Sequence, residues 1–198
     1  NAIVSWAFTA HAHESHVQRI VHAGIPRERI SPFRDGIELD ESTSVTTAMA
    51  PHDTHGTVVY VIRHETTTLG WATDLGRVDA KLKSFLRSHQ LDAFAIESNY
   101  DRTMQLASDR PRFLIERIMG GAGHLSNREA MDVVLDVATS SDLQHLVLLH
   151  RSEQCNCPSV IRALWAQHAP DLHDRVIVAS QREESGVMTV RPRDIVAR

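Results

Sequence analysis

The chain has 198 residues, 42% of them hydrophobic and 23% charged, with a formal net charge of −4. That is enough apolar chain to bury a real core as one globular domain over residues 1–198. A mildly acidic balance excludes a protein held to polyanions by its whole surface, so any nucleic-acid contact must be local. No stretch approaches the ~20 apolar residues of a membrane helix, and no basic region followed by an apolar run opens the chain, which points to a cytoplasmic protein without a membrane partner.

In chain order, "NAIVSWAF" (1–8) reads as a strand, and the segment after it carries His11, His13 and His16. "HVQRIVHAG" (16–24) has helical spacing. The strand "SVTTAMA" (44–50) runs into "PHDTHG", and "TVVYVI" (57–62) and "TLGWAT" (68–73) follow, the last running into "DLG". The helix "VDAKLKSFLRSHQ" (78–90) leads to the strand "AFAIES" (93–98), which runs into "NYD". The helices "DRTMQLA" (101–107) and "NREAMDVVLDVAT" (127–139) precede the strand "HLVLLH" (145–150), which runs into "RSE". The helix "SVIRALWAQHA" (159–169) and the strand "RVIVAS" (175–180) close the series. Strands in succession followed by strands alternating with helices predict an α/β or layered αββα architecture.

Side chains just beyond strand ends converge on one edge of a sheet, where ligands usually bind. That edge gathers His11, His13, His16, His52, Asp53, Asp74 and His150. Imidazoles and carboxylates are the ligands that zinc accepts, and a catalytic site uses a few of them and leaves one position for water. The remaining histidines, among them His22, His64, His89, His145, His168 and His173, lie in polar or helical contexts and are expected at the surface, with His55 a loop residue. Cys155 and Cys157 stand too close for an ordinary structural disulfide and are expected as free thiols.

The order H-x-H-x-x-H, a histidine after a strand, an aspartate in "TDLG" and a histidine ending a late strand resembles the metallo-β-lactamase superfamily of hydrolases. The blocks "PHDTHGTVVYVI", "GWATDLGRV", "IESNYDRTM", "GGAGHLSNREA" and "VLLHRSEQCNCP" are similar to its WalJ/YycJ-type branch and the phage phosphodiesterase relatives. The resemblance implies a four-layer αββα sandwich and a phosphodiesterase acting on a nucleic acid or a cyclic nucleotide. It further implies one or two divalent ions, zinc or manganese, that activate water for attack on phosphorus. Carried over, His11, His13 and His52 would hold the first ion, Asp74 would bridge, and His16 and His150 would hold the second. His124 in "GHLSN" would face the scissile phosphate as an acid or charge stabiliser, with Ser126 and Asn127 binding the substrate.

The sequence also departs from that pattern. Ser15 stands where the family has an aspartate, which weakens the second ion site, and Tyr100 stands where the branch more often has histidine. A shifted register of the first motif would put Phe8, Ala10 and Ala12 at ligand positions. The family's amino-terminal strands have no counterpart before Asn1, so the domain is expected to be incomplete at that end, with an open sheet edge covered by a second copy or another chain. A second reading follows from these departures, a degenerate member serving as a structural or interaction subunit. Smaller expectations also have alternatives. "HLSNREA" reads equally as a helix start capped by Ser126 or Asn127. Arg110, Arg112, Arg117 and Arg128 form either a phosphate-facing strip or a solvated helix face. Trp6, Trp71 and Trp165 belong to a core or an interface.

Overall fold

A computed structural model of the protein describes residues 8–193. Trp6 and most of the strand expected over 1–8 therefore lie outside the described residues. Two sheets are present among them, a seven-stranded one and a two-stranded one. The small sheet pairs β1 (Ala10–His13) in parallel with β2 (Ile30–Phe33). Between these strands come a 3-10 turn over Glu14–His16 and helix α1 (Val17–His22), whose Val17 packs with Ala12, Ile25 and Ile30 in a small apolar cluster.

The large sheet runs β3 (Gly36–Glu38), β4 (Thr43–Ala50), β5 (Thr57–His64), β6 (Thr67–Ala72), β7 (Ala93–Glu97), β8 (His145–Leu149) and β9 (Val176–Val178), adjacent in sequence order. The pairs from β3 to β6 are antiparallel, and those from β6 to β9 are parallel. Parallel neighbours need long crossovers. Helix α2 (Ala80–Ser88) links β6 to β7, and helices α3 (Arg102–Leu106), α4 (Arg112–Met119) and α5 (Asn127–Ala138) lie between β7 and β8. Helices α6 (Pro158–His168) and α7 (Pro170–His173) link β8 to β9.

The core explains why these segments take these forms. Leu82 and Leu86 of α2, Met131, Val134 and Val137 of α5, and Ile161 and Trp165 of α6 share one apolar cluster with Val59, Val61, Phe94, Ile96, Leu146 and Leu148 of the strands. Helical spacing in the first set and alternation in the second bring both to one face of the sheet. Every residue of β7 is buried, as expected of a strand central in a parallel array. On the sheet face away from these helices, Trp71 and Met49 remain 42% and 40% exposed.

Caps fix the helix starts. Asp79 accepts from the Leu82 amide at the start of α2, and Asp101 accepts from Met104 at α3. Ser126 and Glu129 form a reciprocal capping box at α5, and Pro158 occupies the first turn of α6. The carboxyl-terminal segment crosses the opposite end of the parallel strands. There Arg193 pairs with buried Asp92 at 3.1 Å, and Gln144 bonds both the amide and the carbonyl of Arg191.

Candidate metal centre

The loops that follow β4, β6 and β8, together with the last residue of β7, meet at one edge of the large sheet, at the carboxyl ends of its parallel strands. They carry His52, Asp74, His150 and Glu97 respectively. The turn before α5 adds His124, whose ring lies 5.1 Å from that of His52 and 5.0 Å from that of His150, centroid to centroid. One donor atom from each of Asp74, Glu97, His124 and His150 lies within 4.8 Å of the other three.

Glu97 organises this cluster. Its side chain is fully buried, and its two oxygens accept from the backbone amides of Asp74, Leu75 and Leu125 at 2.9, 3.1 and 2.7 Å. The Nδ1 atoms of His124 and His150 donate to the same carboxylate at 3.3 and 3.0 Å. Burial pushes the Glu97 pKa up, but the bonds from both imidazoles and from the Leu125 amide outweigh it and hold the group below its ordinary value. The bond to Glu97 raises the His150 pKa against the effect of burial, and the charges of Asp74 and Glu97 add to the rise.

The third imidazole is oriented in the same way. His52 Nδ1 donates to the Gly123 carbonyl at 2.8 Å, and its Nε2 faces Asp74. Asp74 Oδ1 lies 3.6 Å from His52 Nε2 and 3.7 Å from His150 Nε2. Those separations are too long for hydrogen bonds, but they approach the ~3.4 Å between two donors about 2.05 Å from a shared tetrahedral ion. Imidazoles tied through Nδ1 to a carboxylate or carbonyl, with Nε2 aimed at a common point, are how proteins present histidine to a metal. The donor set fits a divalent ion.

Backbone strain is concentrated here. Asp53, Asp74 and His150 hold φ of +44°, +59° and +55°, the left-handed region that side chains disfavour. The 120–123 turn approaches so closely that a Cβ at Gly123 would fall on the carbonyls of Arg117 and Ile118. That approach brings the Gly123 carbonyl to His52 and the Ala122 carbonyl to the Asp53 amide, 2.7 Å away. A cavity of about 690 Å³ opens over the cluster, and Arg110, Arg117 and Arg151 join His52, His124 and His150 in its lining.

No family model matches the chain. Over 116 residues it is 29% identical to the exodeoxyribonuclease YycJ of Bacillus anthracis, an overlap covering 59% of this chain and 43% of that one. Among solved structures it is similar to the metallo-β-lactamase fold protein YhfI of Bacillus subtilis, with a TM-score of 0.59 and 13% identity over 85% of this chain and 61% of that one. The zinc-bound PqqB of Methylobacterium extorquens aligns at a TM-score of 0.58 and 15% identity, over 87% of this chain and 62% of that one. The chain has the metallo-β-lactamase fold.

The chain thus spans less than half of its curated relative and under two thirds of these structures. Of the site residues predicted from sequence, the metallo-β-lactamase fold brings His52, Asp74, His124 and His150 together. His11, His13 and His16 stand on β1 and the turn after it. His16 Nε2 lies 3.4 Å from the His55 carbonyl, on the loop that carries His52, whereas His13 Nδ1 bonds Ser15. Among the described residues the group whose donor atoms lie within 4.8 Å of one another holds Asp74, Glu97, His124 and His150; it includes neither these three histidines nor His52, which reaches the cluster through its 3.6 Å approach to Asp74.

Ser126 and Asn127 were expected to bind substrate, but both are buried, and neither lines the cavity. Ser126 caps α5, while Asn127 bonds Ser98 and Asn156 in a buried polar network, so their hydrogen-bonding groups are spent inside the fold. Glu97 was missed, because an acid closing an apolar strand reads as the strand's end. Its signal was the same one that marks Asp74 and His150, a chemical side chain where a strand stops.

Proposed function

We propose that the protein is a metal-dependent phosphodiesterase acting on a nucleic acid or a cyclic nucleotide, with the reaction at the His52, Asp74 and His150 edge. The observation that carries this reading is the arrangement of imidazoles anchored through Nδ1 around Asp74 at 3.6 and 3.7 Å. The similarity to an exodeoxyribonuclease supports a phosphodiester as the bond broken.

A divalent ion in such a site, zinc or manganese, acidifies water and shields the charge on the phosphoryl oxygens. The chain's own residues do the rest. His52 Nε2, His150 Nε2 and the Asp74 carboxylate would hold it, and Glu97 fixes the ring planes of His124 and His150. His124, between the other two rings and held through Nδ1 by Glu97, would face the scissile phosphate, placed to pass a proton to the leaving oxygen or to stabilise charge there. The family resemblance adds His11, His13 and His16 as ligands, which would give a second ion through the His16 contact with the His52 loop.

The test is metal stoichiometry by plasma mass spectrometry after dialysis against zinc or manganese, run beside hydrolysis of bis(p-nitrophenyl) phosphate. Bound metal with metal-dependent hydrolysis is the expected result. One equivalent assigns the ion to the Asp74 edge, and a second that disappears in His16→Ala assigns that histidine to a second ion. Absence of both metal and hydrolysis overturns the reading. It would then favour the second one, an interaction subunit, which the exposure of Trp71 and Met49 among the described residues supports.

A further inference from the structure

Arginines around the cavity differ in how their charge is met. Arg117 is neutralised by Asp53 at 2.7 Å. Arg112 and Arg128, outside the cavity lining, pair with Glu116 and Asp132 one turn along their own helices. Among the described residues Arg110 is held by neutral acceptors, Gln105 Oε1 at 3.2 Å, Ser152 Oγ at 3.3 Å and Gln154 Oε1 at 3.0 Å. Arg151 bonds only the carbonyls of Ser152 and Asn156, and its buried Nε has no partner among the described residues. Among the described residues, two guanidinium groups with no carboxylate partner thus line the cavity over the Asp74 cluster, in a lining that also holds Asp53, Asp74 and Glu153.

Amide and hydroxyl acceptors hold a guanidinium in place without cancelling its charge. The fork of an arginine matches two oxygens of a phosphate, and such charge-assisted bonds are about twice as strong as neutral ones. None of the acceptors that position Arg110 is itself one of the four clustered residues, although Ser152 and Gln154 stand on the loop that carries His150 and Arg151. The cavity's roughly 690 Å³ is well within the ~300–1,000 Å³ of pockets for ligands much larger than one phosphate.

We propose that Arg110 and Arg151 form a seat for a second phosphate, adjacent along the strand to the one being cleaved, so that the preferred substrate is a nucleic-acid strand and not a cyclic mononucleotide. This rests on the phosphodiesterase reading. A lone phosphodiester without a neighbour fills only the metal edge, whereas a strand fills both.

The experiment uses a fluorescein-labelled oligothymidylate and bis(p-nitrophenyl) phosphate with wild type, Arg110→Gln, Arg110→Lys and Arg112→Gln. Binding of the oligonucleotide is followed by anisotropy in EDTA across a salt series, and kcat/KM is measured on both substrates with manganese. Arg110→Gln is expected to lose roughly 10- to 100-fold in oligonucleotide affinity and kcat/KM. It should also lose about 0.7 from the salt slope, the contribution of one phosphate in a single strand. Hydrolysis of the small diester should stay within about threefold of wild type, as uniform loss of substrate binding elsewhere in the cavity would not allow. Arg112→Gln should match wild type throughout. Arg110→Lys keeps the charge and loses the fork, so it should keep the salt slope and recover part of the affinity, separating the seat from a folding defect.

An Arg110→Gln protein that binds the oligonucleotide as wild type does, or loses equally on both substrates, overturns the seat. If wild type cleaves neither substrate while Arg110→Gln still loses oligonucleotide affinity, the seat stands and the hydrolytic reading falls.

Discussion

A single carboxylate decides how three residues of the candidate site are presented. Glu97 binds the His124 and His150 rings and the Asp74 amide at once, so Glu97→Gln puts an amide N–H where one of those donors now bonds. Zinc affinity, read by competition with a chromophoric chelator, is expected to fall roughly 10- to 100-fold, the usual cost of losing an orienting partner. The same geometry sets a pH dependence. The raised His150 pKa contributes stability that is complete below the unfolded value and is lost as pH rises through the folded one. The lowered Glu97 pKa contributes stability that is complete above the unfolded value and is lost as pH falls through the folded one. Between those titrations the metal-free protein is held most firmly by this cluster, and calorimetry should show Tm falling as pH goes from about 6 to about 8. Zinc must displace the proton on His150 Nε2, so the gain in Tm from added zinc should grow over the same interval.

At the scale of elements, the site depends on loops pinned between strands and helix starts. The box formed by Ser126 and Glu129 opens α5, and the Asn127 amide bonds the Tyr100 carbonyl, tying the His124 turn to the segment after β7. Ser126→Ala removes the side-chain cap and is expected to cost about 1 kcal/mol, measurable in urea unfolding. Gly123→Ala should cost hydrolysis as well, because its Cβ displaces the turn that orients His52. These elements differ in how far the sequence shows them. Strands β4 to β8 and helices α2, α5 and α6 follow from alternation or helical spacing that spans enough residues to be distinctive. Strands β1, β2 and β3 are only 4, 4 and 3 residues long, too short for a period to show, and β2 contains Pro32. His52, Asp74 and His150 were legible because each follows a strand. The distance between the His11 to His16 motif and the Asp74 cluster was not, because it depends on how the small sheet sits against the large one. No local pattern encodes that.

Over the whole molecule, the candidate metal edge and the segment around Arg193 lie at opposite ends of the parallel strands. Arg193 reaches back to bond Asp92, which is 1% exposed and also accepts from the Thr68 amide at 2.7 Å. Arg193→Ala leaves that acid buried without its cation and is expected to cost about 3 kcal/mol, or roughly 6–12 °C in Tm for a domain of this size. Zinc affinity at the far edge should be unchanged.

Hydrolysis of a phosphodiester at the Asp74 edge, as proposed above, requires a metal ion. Its most direct measurement is the initial rate of oligothymidylate hydrolysis against manganese concentration, for wild type and Asp74→Asn. A rate that rises and saturates with metal is expected in wild type, with a drop of at least about a thousandfold in the variant, on the order of 4 kcal/mol of lost transition-state stabilisation. A rate that ignores the metal, or survives intact in Asp74→Asn, would contradict it.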